Sequence, residues 1–202
     1  MDDCVNCKGE RKMRILGSTT FGTEDRQARD YYATDPAALE KFLEAFKADG
    51  NSIAPRVWEP ACGEGNLSKV LEAQNHVMYE SDIYDYGEND VIDFLESDKE
   101  FDGDILTNPP YKKAKEFVQH GMTLIPEGNQ VIMLLRIQFL ESKGRHEWFK
   151  NNPPKFVYVH SSRIKIWKDN DSVKYPGTQP LCYAWYMWQK GFEGQTTLRW
   201  IK

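Results

Sequence analysis

Asp104-Ile105-Leu106-Thr107 has the character of a buried strand and runs straight into Asn108-Pro109-Pro110-Tyr111. Each proline lacks a backbone donor and has a fixed φ, so no strand continues through the pair. The strand stops at Asn108 and leaves a side-chain amide, carbonyls that cannot pair as a ladder, and an aromatic ring at its C-terminal tip. In open α/β sheets that edge is where ligands bind. Alone, these residues would be an ordinary Pro-Pro turn, and their weight comes from what lies upstream. Ala61-Cys62-Gly63-Glu64-Gly65-Asn66 is a small-residue turn that lets a ligand approach the backbone. Asp82 follows Gly65 by seventeen residues, where an acid accepts hydrogen bonds from ribose hydroxyls. The chemistry these positions suit is the binding of a nucleoside-type ligand beside a second, hydrogen-bonding site.

Strands and helices must hold these residues in place. Arg56-Val57-Trp58-Glu59-Pro60 reads as a short strand stopped by proline, and residues 67 to 73 as the helix after the glycine turn. Before them, Leu39, Phe42, Leu43 and Phe46 recur at helical spacing. Asp35 is a suitable N-cap for that helix, Pro36 its first residue, and Gly50 its stop. A second strand is expected over His76 to Tyr79, a short third one over Val91 to Leu95, and a fourth over Asp104 to Thr107. Lys113 to Leu124 reads as a helix. Val131 to Leu135 is apolar throughout, as in a strand buried on both faces. Phe139 to Lys150 reads as loop and helix, and Phe156 to His160 and Pro180 to Gln189 as two further strands. Seven strands in all are expected, in one domain over 31–202, with residues 1–30 a flexible N-terminal arm.

Charge is divided unevenly along the 202 residues. Positions 1–100 carry 11 Lys+Arg against 22 Asp+Glu, and positions 101–202 carry 15 against 9. The acidic half excludes blanket polyanion binding, whereas the basic half leaves room for a local phosphate-binding surface. Lys143, Arg145 and Arg163 are the candidates for it, in a basic, loop-rich stretch over 139–180. The four cysteines are too scattered for a disulfide framework. Cys4 and Cys7 form only half a zinc site and the four histidines lack metal spacing, so no metal is expected. No apolar run has the length of a membrane span, and the N-terminus lacks a signal-peptide core, so a cytoplasmic location without membrane attachment is expected.

Taken together, these motifs resemble the S-adenosylmethionine-dependent amino-group DNA methyltransferases, in particular the N6-adenine type. The likeness covers about residues 30 to 140 by motif. It implies a Rossmann-like class I methyltransferase fold, with a mostly parallel seven-stranded sheet flanked by helices and an antiparallel C-terminal strand. S-adenosyl-L-methionine is the implied cofactor. Its binding residues would be Thr34 over the methionine part, Glu59, Pro60, Ala61, Cys62, Gly63 and Gly65 in the loop, and Asp82 at the ribose. Ile83, Asp93 and Phe94 would hold its adenine. Asn108, Pro109, Pro110 and Tyr111 match the catalytic motif.

The activity so implied is methyl transfer to the exocyclic N6 amino group of adenine in DNA by direct in-line attack. The Asn108 side-chain oxygen and the Pro109 carbonyl would accept both amino hydrogens, and Tyr111 would stack on a base flipped from the duplex. No cysteine nucleophile is required, so Cys62 is expected to be a packing residue. Family members of this order commonly carry a large C-terminal recognition domain. Its place here would fall to 139–180, or to a separate specificity subunit or an oligomer. An RNA base or a protein glutamine amide as acceptor, and a non-catalytic cofactor-binding subunit, stay open as alternatives.

Overall fold

In a computed structural model, which describes residues 32–168 and 181–202, Asp35 and Pro36 start the first helix as the sequence predicts. The 1–30 arm with Cys4 and Cys7, and most of the 168–180 connector, lie outside the described residues. In chain order the elements are β1 (Tyr32–Thr34), α1 (Pro36–Ala48), β2 (Arg56–Glu59), α2 (Asn66–Glu72), β3 (Val77–Asp82), β4 (Asp90–Val91) and β5 (Asp104–Thr107). Then follow α3 (Ala114–Leu124), β6 (Gln130–Arg136), α4 (His146–Asn151), β7 (Phe156–His160), β8 (Ile166–Lys168), β9 (Tyr183–Gln189) and β10 (Thr197–Ile201). The Asp35 carboxylate accepts from the Ala37 amide at 3.1 Å, satisfying an orphan donor of the first turn. At the other end the chain turns through Gly50 with φ +79°, a conformation glycine adopts without strain.

Eight strands form the main sheet, in the order β10-β7-β9-β6-β5-β2-β3-β4. All neighbours are parallel except β9, which runs antiparallel to both β6 and β7. The expected antiparallel C-terminal strand is therefore β9, and β10 adds one strand to the expected seven by pairing with β7 at the outer edge. As an edge strand β10 needs no apolar run: Leu198 and Trp200 are exposed, and Arg199 pairs with Asp49 at 3.1 Å. The third strand is shorter than expected, because only Asp90 and Val91 pair with β3. Asp93 instead accepts from the Leu95 amide at 3.0 Å and caps a 3₁₀ turn over Phe94–Glu96, a local bond that competes with a ladder.

Packing on the two faces of the sheet follows the alternation of side chains along each strand. Leu106, Ile132, Leu134, Trp185 and Met187 face α1 and α2, burying Leu39, Phe42 and Phe46. Ile105, Val131, Met133, Tyr186 and Trp188 face α3 and α4 with Phe117, Val118 and Trp148. β5, β6 and β9 are thus covered on both sides and hold rigid whatever sits at their C-terminal tips. Separately, β1 and β8 pair antiparallel as a two-stranded ribbon. No helix of the described residues is long and apolar enough to cross a membrane.

Candidate active site

The strand order reverses between β2 and β5, which lie side by side while their successors β3 and β6 lie to opposite sides. Such a switch point opens a crevice beyond the carboxyl ends of the strands. A cavity of about 300 Å³ occupies it and gathers nearly every residue singled out by the sequence. Thr34 comes from β1, Glu59 to Cys62 from the tip of β2 and its turn, Asp82 and Ile83 from the end of β3, Asp93 and Phe94 from the 3₁₀ turn, and Asn108 to Tyr111 from beyond β5. Gly63 and Gly65 are not among the cavity's lining residues; they bend the turn between Cys62 and Asn66, with φ +52° and +71°, and a Cβ on Gly65 would stand 2.8 Å from Glu80 Oε1. Lys143 and Arg163 are exposed and outside this cavity, and Arg163 donates to Cys182 Sγ. Arg145 is also outside it; its guanidinium donates to the carbonyls of Phe139, Gln138 and Glu141.

Three acids surround the glycine turn. Asp82 is buried, and its carboxylate accepts from the Gly63 amide at 3.0 Å and the Tyr84 amide at 3.1 Å. Burial raises its pKa, against the pull of those amides. Beside it the Ile83 side chain is 56% exposed, an aliphatic surface open to a ring. Glu59, fully enclosed, accepts from the amide of Ser68 at 2.9 Å and from its hydroxyl. Burial lifts the Glu59 carboxyl to about 8, and the nearby Glu80 and Asp82 charges add to the effect. Cys62 is held far above the ordinary thiol range, chiefly by burial and then by Glu59, Asp82 and Glu80. A thiol so protonated is no nucleophile, in keeping with the packing role the sequence suggests.

Asn108 is fixed from the β1 side. Its Nδ2 donates to the Tyr32 carbonyl and to Thr34 Oγ1, both at 3.1 Å. A carbonyl only accepts, so the orientation of the amide is determined. Oδ1 then points the other way, buried and without a hydrogen-bond partner. Leaving a buried acceptor unmatched costs on the order of 1–3 kcal/mol, so this atom calls for a donor that the described residues do not supply. Tyr111 closes the wall. Its pKa lies well above the ordinary tyrosine range, mainly through burial and then Tyr183, with Arg136 opposing; the ring is a neutral stacking surface.

Of the residues that brace Tyr111, Arg136 is the one the sequence reading leaves out. Tyr32 and Tyr183 lie with ring centroids 6.5 and 6.0 Å from it, and the Arg136 guanidinium lies 4.6 Å over its ring centroid. Arg136 carried a signal: it is the first charge after an apolar strand, which runs three residues past the partner of Thr107. Tyr84 and Tyr86, which also line the cavity, lie in an acidic loop with no periodicity to point them out.

No protein-family model and no curated protein sequence matches the chain. Solved structures do. A type I restriction-modification system methyltransferase subunit from Streptococcus thermophilus aligns over 84% of this chain and 47% of its own, at 14% identity and TM-score 0.58. A candidate RNA methyltransferase from Pyrococcus horikoshii aligns over 81% and 88%, at 14% identity and TM-score 0.55. A candidate class I S-adenosylmethionine-dependent methyltransferase from Listeria monocytogenes aligns over 81% and 63%, at 13% identity and TM-score 0.50. The chain therefore has the class I methyltransferase fold, and it spans less than half of the restriction-modification subunit.

Proposed function

We propose that this chain is an S-adenosylmethionine-dependent methyltransferase acting on the exocyclic N6 amino group of adenine in DNA. The observation that carries the reading is the buried Asn108 Oδ1, without a partner among the described residues, on a residue that lines a cavity whose other walls suit a nucleoside. The residues present fit the cofactor this fold implies. Asp82 stands at the end of β3 for ribose hydroxyls, Ile83 and Phe94 offer apolar surface and Asp93 an acceptor for adenine, and Thr34, Glu59 and the turn from Pro60 to Gly65 surround the remainder. S-adenosylmethionine supplies an electrophilic methyl group there.

The chain's own residues act on the acceptor. An exocyclic amine is a poor nucleophile because its lone pair is delocalised into the ring. Asn108 Oδ1 and the Pro109 carbonyl accept its two hydrogens, favouring a tetrahedral nitrogen whose lone pair points towards the cofactor. Both acceptors are restrained beforehand, Asn108 by β1 and the Pro109 carbonyl by the proline that follows it, so little reorganisation is needed as positive charge develops on nitrogen. Tyr111 stacks on the base, and holding both reactants together supplies much of the remaining acceleration. Lys143, Arg145 and Arg163, in the 139–180 segments of the single domain over 31–202, meet the nucleic acid, and a specificity subunit or second copy completes recognition. The restriction-modification subunit and the candidate RNA methyltransferase of like fold support a nucleic acid as the acceptor.

Incubation with labelled cofactor and, separately, DNA, RNA and total cell protein tests the assignment. Label in DNA is expected; label confined to protein would overturn it. Asp82→Ala should weaken cofactor binding about tenfold or more, through loss of a buried charged acceptor, with little effect on nucleic-acid affinity. An unchanged calorimetric Kd would remove Asp82 from the site.

A further inference from the structure

Beside Tyr111 lies a second, half-open hollow of about 160 Å³. Its walls include Tyr111, Arg136, Gln138, Phe139 and Arg145, and no carboxylate lines it. Arg145 stacks over Phe139, 4.5 Å from the ring centroid, and its hydrogen bonds go to carbonyls that leave its full charge in place. Arg136, half-buried at the tip of β6, meets no acid among the described residues, and its Nε is buried and donates to nothing. Both guanidinium groups are only half-buried, but two like charges at one small hollow repel each other and favour an anion between them. The missing element is an anion, and the planar fork of arginine matches a phosphate.

We propose that this cavity is a phosphate subsite for the acceptor strand, in which Arg136 holds the phosphodiester flanking the target adenine while bracing the Tyr111 ring. The inference rests on the acceptor reading above and narrows it. A neutral protein amide has no group for this charge, whereas a base presented on Tyr111 carries a phosphate on the same nucleotide. The hollow is open enough to solvent for a phosphate to enter it. Arg136 is in this sense a positioning residue, acting on the acceptor strand and through Tyr111.

Binding of a single-stranded DNA oligonucleotide with one adenine, followed by fluorescence anisotropy over a salt series, tests the subsite. Arg136→Gln should weaken binding about tenfold at 100 mM salt and make the slope of log Kd against log salt shallower by about 0.7, the loss of one phosphate contact. Arg136→Lys should restore the slope while recovering only part of the affinity. A neutral methylphosphonate at the linkage flanking the adenine should bring the wild type down to the Arg136→Gln affinity and leave that variant unaffected. The same linkage decides the matter on the wild type alone if the variant melts early. An identical salt slope in Arg136→Gln, or no effect of the neutral linkage, overturns the subsite. Should DNA still be methylated in that case, the acceptor reading stands without it; a slope that depends on Arg136 in a protein that labels no DNA would sink the acceptor reading instead.

Discussion

Asn108→Ala is expected to lower methyl transfer by about a thousandfold or more while the cofactor Kd moves by less than about threefold. Loss of one preorganised group facing the developing charge costs roughly 10²–10³ in rate, and the substitution also leaves the Tyr32 carbonyl and Thr34 Oγ1 without the donor that tied them to the end of β5. Thr34→Val separates the two contributions. It removes one of the bonds that orient the amide yet keeps Oδ1, so its rate should fall about tenfold or less. Single-turnover kinetics with saturating cofactor provide the comparison. Equal losses in the two variants would mean that Asn108 matters only as a fastening for β1.

Glu59→Gln is expected to remove the pH dependence that this carboxyl gives to the stability of the unliganded protein. The ordinary glutamate value is 4.5 and the folded value about 8. Between them the folded state binds a proton that the unfolded state has released, so stability is full below about pH 4.5 and is lost as pH rises towards 8. Ser68 keeps an acceptor in the variant, because a glutamine oxygen replaces the carboxylate oxygen it donates to. At pH 8.5 the variant should therefore be more stable by a few kcal/mol, or on the order of 5–10 °C in Tm, while the two proteins melt together at pH 4.5. Cofactor binding gives the converse. A cationic ligand in this cavity favours the Glu59 carboxylate, so wild-type affinity should rise up to about tenfold per unit between pH 6 and 8 with proton release. Glu59→Gln should bind more weakly with no such slope. Calorimetry in buffers of different ionisation enthalpy measures both, and a pH-independent wild-type Kd would contradict the role given to Glu59.

Much of the architecture could be read from local patterns. Asp35, Pro36 and Gly50 delimit α1 because caps and stops are chemical properties of single residues. β6 was legible because a strand buried on both faces must be apolar throughout. β10 was hidden for the opposite reason: its edge position allows Arg199 and an exposed Trp200. The β1–β8 ribbon joins segments more than 130 residues apart, and three-residue strands leave no periodicity to read. In the site, residues announced by turn chemistry, such as Gly65 and Asn108, were legible. Those that act through a distant partner, Arg136 over Tyr111 and Tyr183 beside it, depend on the β6–β9 pairing, which sequence spacing does not reveal. Arg145 was singled out for its charge, and the structure also gives it a local task in holding the turn after β6.

The most direct measurement is mass spectrometry of nucleosides from DNA incubated with the protein and S-adenosylmethionine, with Asn108→Ala in parallel. The account predicts N6-methyldeoxyadenosine from the wild type and none above background from the variant. Methyl groups found only on another atom, or in equal amount with Asn108→Ala, would contradict it.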